Sequence, residues 1–253
     1  MSLWNGFLLS KPRAVLAGWL VILSLLLTPF AAAEEAPTKG FKPEGYPDLI
    51  PPECEPVGDS YFADAVFIGD SIMVGIESAS VFPEADYVCR VGMSIDGTLH
   101  RNQDLRGVNH KVRAVDVAAS YQPKKIYVLL GVNTLDAYPA ERALKDYGLF
   151  LDELLPLVPD CIVYLLSVPP MSKRGFEKNG TTNPARYQEF ERMLRQLAQD
   201  RNLYYIDLYH LLADEAGIMK DEYAAGDYHL QKAAFALLRD YLMTHAIPWG
   251  MES

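Results

Sequence analysis

Cysteine is scarce, with Cys54, Cys89 and Cys161 the only three in 253 residues. None stands in a C-x-x-C pair or at the Cys/His spacing of a zinc site, which excludes a dithiol redox motif and structural zinc. Positive charge is also in deficit. Lys and Arg number 23 against 33 Asp and Glu, giving a formal net charge of -10, and the cations do not cluster. A nucleic-acid partner held by phosphate neutralisation is therefore excluded, and anionic membrane surfaces are disfavoured. Internal repeats are absent. What remains is an ordinary globular composition, 50% hydrophobic and 22% charged, long enough for one domain with a full core.

Residues 1–33 stand apart from that body. Lys11 and Arg13 precede a stretch, residues 14–33, with no charge, and Ala31-Ala32-Ala33 comes just before Glu34-Glu35. Basic, apolar and small-residue regions in that order fit a cleaved signal peptide. Twenty uncharged residues also suffice for a membrane anchor at about 1.5 Å per helical residue. Either alternative places the body outside the cytoplasm, with membrane contact only through residues 14–33 if they stay uncleaved. Cleavage would remove two positive charges and take the net charge from -10 to -12. An odd cysteine count in that setting allows one disulfide, with Cys54–Cys89 the preferred pair; three buried reduced thiols are the alternative. Residues 34–60 carry Pro37, Pro43, Pro47, Pro51, Pro52 and Pro56, and read as a spacer.

The domain proper is expected over residues 61–248. Five short apolar runs mark it: Ala65–Ile68, Tyr87–Val91, Lys125–Leu130, Ile162–Val168 and Leu203–Leu208. They are nearly continuous, as parallel strands covered on both faces are. Helical periodicity falls between them at 141–157 and 185–200, and after them at 231–244. Alternation of this kind predicts an α/β fold, a three-layer α/β/α sandwich on a mostly parallel five-stranded, flavodoxin-like sheet. Reactive groups should then gather beyond the carboxyl ends of the strands.

Four segments at those ends carry usable chemistry. Gly69-Asp70-Ser71 puts a serine where the first strand gives way to a helix, so that a nucleophile and its own N–H meet the positive helix end. An ordinary N-cap serine is the plainer alternative. Residue 73 is Met, so the G-x-S-x-G nucleophile elbow is absent. Gly92 follows the second run and could present an N–H to a carbonyl oxygen, or simply turn the chain. Asn133, in Gly131-Val132-Asn133-Thr134, offers a neutral amide donor or a cap. Asp227-Tyr228-His229 lies just before the last helix, and an imidazole there is the natural base for a serine. The connection from Pro169 to Pro184, with Lys173, Arg174 and Lys178, is long for an α/β loop and is expected to border the cleft.

Taken together and in this order, Gly69-Asp70-Ser71, Gly92, Gly131-Val132-Asn133 and Asp227…His229 resemble the blocks of the SGNH, or GDSL-type, esterase/acylhydrolase family. The resemblance covers residues 65–245. It implies Ser71 as nucleophile, His229 as general base, and an oxyanion hole of the Ser71 and Gly92 N–H groups with the Asn133 amide. Two departures stand out: Thr134 replaces the family's usual Asp after the Asn, and the last block is D-x-H where the family has D-x-x-H. Residues two apart share a side in extended chain, so Asp227 could still serve the imidazole; Asp221 or a backbone carbonyl are alternatives. The expected activity is hydrolysis of short-chain acyl esters on cell-envelope or extracellular carbohydrate, with no metal or organic cofactor called for. O-acyl transfer on the same fold, and a non-catalytic carbohydrate-binding role, are the rival readings.

Overall fold

The computed structural model describes residues 36–179 and 184–249, and the fold below is that of the unit Pro37–Ser253. The leader or anchor expected at residues 1–33 lies outside the described residues. Among the described residues no helix is long and apolar enough to cross a membrane.

The five expected strands form one sheet. β1 (Ala65–Gly69), β2 (Asp86–Cys89), β3 (Lys125–Leu129), β4 (Ile162–Leu166) and β5 (Tyr204–Ile206) lie in the order β2-β1-β3-β4-β5, every pair parallel. All residues of β1, β3, β4 and β5 are buried, which is why their runs show no alternation. The flanking helices are α1 (Ser71–Ser78), α2 (Ile95–His100), α3 (Ala114–Ser120), α4 (Val132–Ala137), α5 (Ala140–Leu154), α6 (Lys173–Asn179), α7 (Pro184–Asp200), α8 (Leu208–Leu212) and α9 (Lys232–Thr244). The helix expected over 141–157 stops at Leu154 and tightens into a 3-10 turn, Leu155–Leu157, where Pro156 has no N–H to give.

Register is fixed by a row of rings. Tyr87, Phe67, Tyr127, Tyr164 and Tyr204 are successive register partners, one on each strand. Their centroids stack at 5.5, 4.6, 4.5 and 5.2 Å across the sheet. Each such pair adds about 0.5–1.5 kcal/mol beyond its buried area, and a one-residue slip would throw a strand's ring to the opposite face. The register in turn aligns Gly69 with Cys89 and with Leu129, so the turns after β1, β2 and β3 emerge at one edge.

Two expectations are corrected here. Residues 37–57 have no helix or strand, as their prolines dictate, yet they are not a free spacer. Gly40 N–H donates to Arg201 O at 2.8 Å, Tyr205 N–H to Leu49 O at 2.9 Å, and Cys54 N–H to Thr244 O at 2.7 Å. The residues between the prolines keep both N–H and C=O groups for such bonds, and Phe41, Tyr46, Leu49 and Val57 pack on the core, so the stretch is a belt around β5 and α9. The Cys54–Cys89 disulfide is absent, and all three thiols are free. Cys54 faces Ala246 O beyond α9, whereas the Cys89 thiol is turned to Glu77 Oε2 at 3.3 Å.

Candidate active site

Strand order 2-1-3-4-5 reverses direction between β1 and β3, and a crevice opens at such a point beyond the carboxyl ends. Ser71 follows β1 there and Asn133 follows β3. The helix after β1 starts where it does because Asp70 caps it: Oδ1 accepts the Ile72 N–H at 2.9 Å, while Ile72, Met73 and Ile76 bury the inner face of α1. Ser71 is thereby the first residue of α1, half-buried, with its hydroxyl facing the crevice side of the turn.

His229 meets it. Nε2 of the imidazole lies 3.0 Å from Ser71 Oγ, across 158 residues of sequence. The turn that carries His229 is closed on itself by Ala225 N–H to His229 O at 2.8 Å and Gln231 N–H to Tyr223 O at 2.9 Å. Its far side is clamped to the segment after β4. Ser172, itself buried, donates its hydroxyl to Gly226 O at 2.6 Å and its N–H to Asp227 O at 2.7 Å. The connection from Pro169 to Pro184 is accordingly not a plain loop: Ser172 Oγ also accepts the Gly175 N–H at 3.1 Å and starts α6.

Asp227 does not reach the imidazole. Its Oδ2 accepts from Lys178 Nζ at 2.8 Å, and no described hydrogen bond joins it to His229. Residues two apart share a side only in extended chain, whereas this segment bends. Gly226 occupies the position three before His229, so no carboxylate stands at the family's usual spacing. Asp221 is exposed, and its carbonyl accepts from the Gln231 side chain at 3.1 Å. The sequence does contain one D-x-x-H, Asp207 to His210, but it caps α8 beyond β5. Glu191, Asp207 and His210 have ligand atoms within 4.8 Å of one another and could hold a cation. Each already has an internal partner: Glu191 accepts from Tyr205 OH at 2.7 Å, and Asp207 lies 2.9 Å from His210 Nδ1.

The donors for a developing oxyanion sit beside Ser71. Gly92 has φ +73°, with no atom within 4 Å of where a Cβ would be, and no described backbone hydrogen bond uses the N–H of Gly92 or of Ser71. Asn133 Nδ2 donates to Met93 O at 3.0 Å and to Asp70 Oδ2 at 3.2 Å, so both its protons are engaged. The turn that delivers Asn133 needs Gly131. Its φ is +146°, and a Cβ would stand 2.7 Å from Val168 Cγ1. Thr134, the residue that departs from the family pattern, is buried and accepts the Ile95 N–H at 3.0 Å, fastening the start of α2. Asp70 is 1% exposed, and burial pushes its carboxyl up to about 7 against the pull of the Ile72 and Asn133 hydrogen bonds. A share of Asp70 is thus neutral near neutral pH, next to where negative charge would form.

Against this geometry stands one sequence finding. The sequence model of the GDSL-like Lipase/Acylhydrolase family matches residues 67–237, well over half the chain. The chain belongs to that family. Within it, a GDSL-like lipase from Bacteroides thetaiotaomicron shares the fold at a TM-score of 0.56 and 13% identity, with 74% of this chain and 88% of that one covered. A variant of an acetyl-xylooligosaccharide esterase from Geobacillus stearmophilus aligns at 0.50 and 15% identity, covering 75% and 96%. No curated protein is a significant sequence match. Family and fold make the chain a GDSL-type hydrolase acting on acyl esters, with a parallel sheet flanked by helices.

Of the residues singled out in the sequence, Ser71 and His229 are brought into contact, Gly92 and Asn133 lie at the same edge, and Asp227 is turned to Lys178. Sequence reasoning missed Ser172 and Lys178, which hold the histidine turn. Nothing distinguishes Ser172 from a loop serine until the chain folds. Lys178 is indistinguishable in the sequence from its neighbours Lys173 and Arg174.

Proposed function

We propose that the protein is an extracytoplasmic serine esterase removing short acyl groups from carbohydrate-linked oxygen esters. The observation that carries this reading is the 3.0 Å contact of Ser71 Oγ with His229 Nε2. In the proposed cycle His229 takes the hydroxyl proton as Ser71 Oγ attacks the ester carbonyl. The tetrahedral oxyanion is received by the Ser71 and Gly92 N–H groups, and by Asn133 once it exchanges its longer bond, to Asp70, for the new anion. Collapse expels the alcohol, which takes the proton from His229. Water, deprotonated by the same imidazole, then releases the acid and restores Ser71. Export is supported by the basic, apolar and small-residue pattern of residues 1–33, and a carbohydrate alcohol by the named activity of the xylooligosaccharide esterase that shares the fold.

A second reading has one observation in its favour. The imidazole lacks a carboxylate partner among the described residues, which suits a non-catalytic carbohydrate-binding protein that keeps the fold. Hydrolysis of a small aryl acetate separates the two. The esterase reading expects turnover by the wild type that Ser71→Ala and His229→Ala each abolish without loss of fold, and without additivity in the double variant. A folded wild type with no turnover supports the binding reading, whereas a Ser71→Ala protein as fast as its parent refutes the serine mechanism.

A further inference from the structure

A cavity of about 300 Å³ opens beside the candidate oxyanion donors, with Gly92 and Ser94 on its wall. Its other lining is cationic. Arg90, Arg101 and Lys111 face it against a single acid, Asp104, in a chain whose net charge is -10. Lys111 and Asp104 are paired loosely, at 3.7 Å with both side chains about two-thirds exposed. Arg101 has no hydrogen bond or ion pair among the described residues, and the guanidinium of Arg90 meets only an amide. Two arginines without carboxylate partners, in a protein with acid to spare, are an arrangement that stability does not call for.

The arginine nearest Gly92 is also tied to the interior. Arg90 Nη1 donates to Gln103 Oε1 at 3.3 Å. Gln103 is buried, and its Nε2 donates to Thr98 Oγ1 at 3.3 Å. The Thr98 hydroxyl in turn donates to Ser94 O at 2.8 Å. On the main chain, Arg90 N–H donates to Gly69 O at 3.2 Å, and Met93 N–H to Arg90 O at 3.2 Å, so Arg90 and Gly92 share the turn that adjoins Ser71. The exposed guanidinium thus has one nitrogen tied to a buried amide and its other N–H groups free, and their planar fork matches a carboxylate or phosphate.

We infer that this pocket binds an anionic group, carboxylate or phosphate, on the alcohol part of the ester, with Arg90 and Arg101 as its ligands. The inference rests on the esterase reading of Ser71 and His229: with a short acyl group at the carbonyl, an anion reaching past Gly92 belongs to the leaving alcohol. A contact remote from the reacting carbon is made equally in ground and transition states, so it acts on KM and leaves kcat alone.

The test compares three acetate esters of matched sugars: a neutral methyl glucoside, the corresponding glucuronate, and glucose 6-phosphate. At low ionic strength kcat/KM for at least one anionic ester should exceed that for the neutral one by about tenfold or more, the scale of one partly exposed charge-assisted hydrogen bond. The ratio should shrink as salt is raised, and fall towards one in Arg90→Gln/Arg101→Gln. Preference for glucuronate, for phosphate or for both supports the pocket and names the anion. A wild-type ratio near one, or a ratio that survives the double substitution, overturns it while leaving the esterase standing. Should no ester be hydrolysed, the esterase reading fails and the pocket is judged by calorimetry with the same three compounds. Tighter binding of an anionic one, lost in the double variant, supports it; equal or undetectable binding of all three overturns it.

Discussion

Asp70→Asn probes the carboxyl that both caps α1 and touches Asn133. Its pKa rises from an ordinary 3.8 to about 7 because burial disfavours the charged form. A carboxyl raised in the folded state binds more protons there than in the unfolded chain between those two values. Stability from this group is therefore complete below pH ~4 and is lost as pH climbs to about 7. At ~1.4 kcal/mol per tenfold in proton affinity, the loss amounts to about 4 kcal/mol at most. Asparagine keeps the cap, since its carbonyl oxygen can accept the Ile72 N–H, and it has no charge to desolvate. It faces the Asn133 amide with a second NH2 group, which costs about 1 kcal/mol at every pH. Urea unfolding of both proteins at pH 4, 5.5, 7 and 8 isolates the effect, because other titrating groups cancel in the difference. The variant should be near parity with, or slightly below, the wild type at pH 4 and more stable by a few kcal/mol at pH 8. A difference that does not vary with pH, or a wild type that gains on the variant as pH rises, would refute the reasoning.

Three further outcomes follow from the site and its supports. Asp227→Asn should lower kcat on an aryl acetate by less than about tenfold, far less than the roughly 10⁴–10⁶ expected for His229→Ala, because its carboxylate pairs with Lys178 rather than the imidazole; steady-state kinetics compares them directly. Asn133→Ala should lower kcat by about 10²–10³ with KM nearly unmoved, and an unchanged kcat would reduce Asn133 to a cap. Gly131→Ala should destabilise the fold by more than about 2 kcal/mol, since φ is +146° and the new Cβ would meet Val168, and calorimetric unfolding would show the drop.

How far the sequence discloses this molecule depends on what each residue answers to. The strands are legible because burial on both faces leaves continuous apolar runs, and their ends are less so. Val91 reads as a strand residue but is 66% exposed on the turn after β2, and Asp207 leaves β5 to cap α8. The helices α2, α3 and α4 have six, seven and six residues, too few turns for a hydrophobic period to show. Ser71, Gly92, Asn133 and His229 are visible through motif order on strand ends. Partners set by tertiary packing are not: Lys178 on Asp227, Thr134 on Ile95, and Ser172 under the histidine turn each join segments far apart in sequence. The proline-rich belt is the instructive failure. Its composition fixes only what it cannot become, and where it docks is decided by the backbone N–H and C=O groups between its prolines and four apolar side chains.

The central claim is that Ser71 is a nucleophile activated by His229. Reaction of the folded protein with a fluorophosphonate, followed by intact mass and peptide mapping, tests it most directly. The account predicts one adduct per chain, on Ser71, absent from Ser71→Ala and formed far more slowly in His229→Ala. A folded wild type that takes no label at Ser71, or a Ser71→Ala protein labelled as fast as its parent, would contradict it.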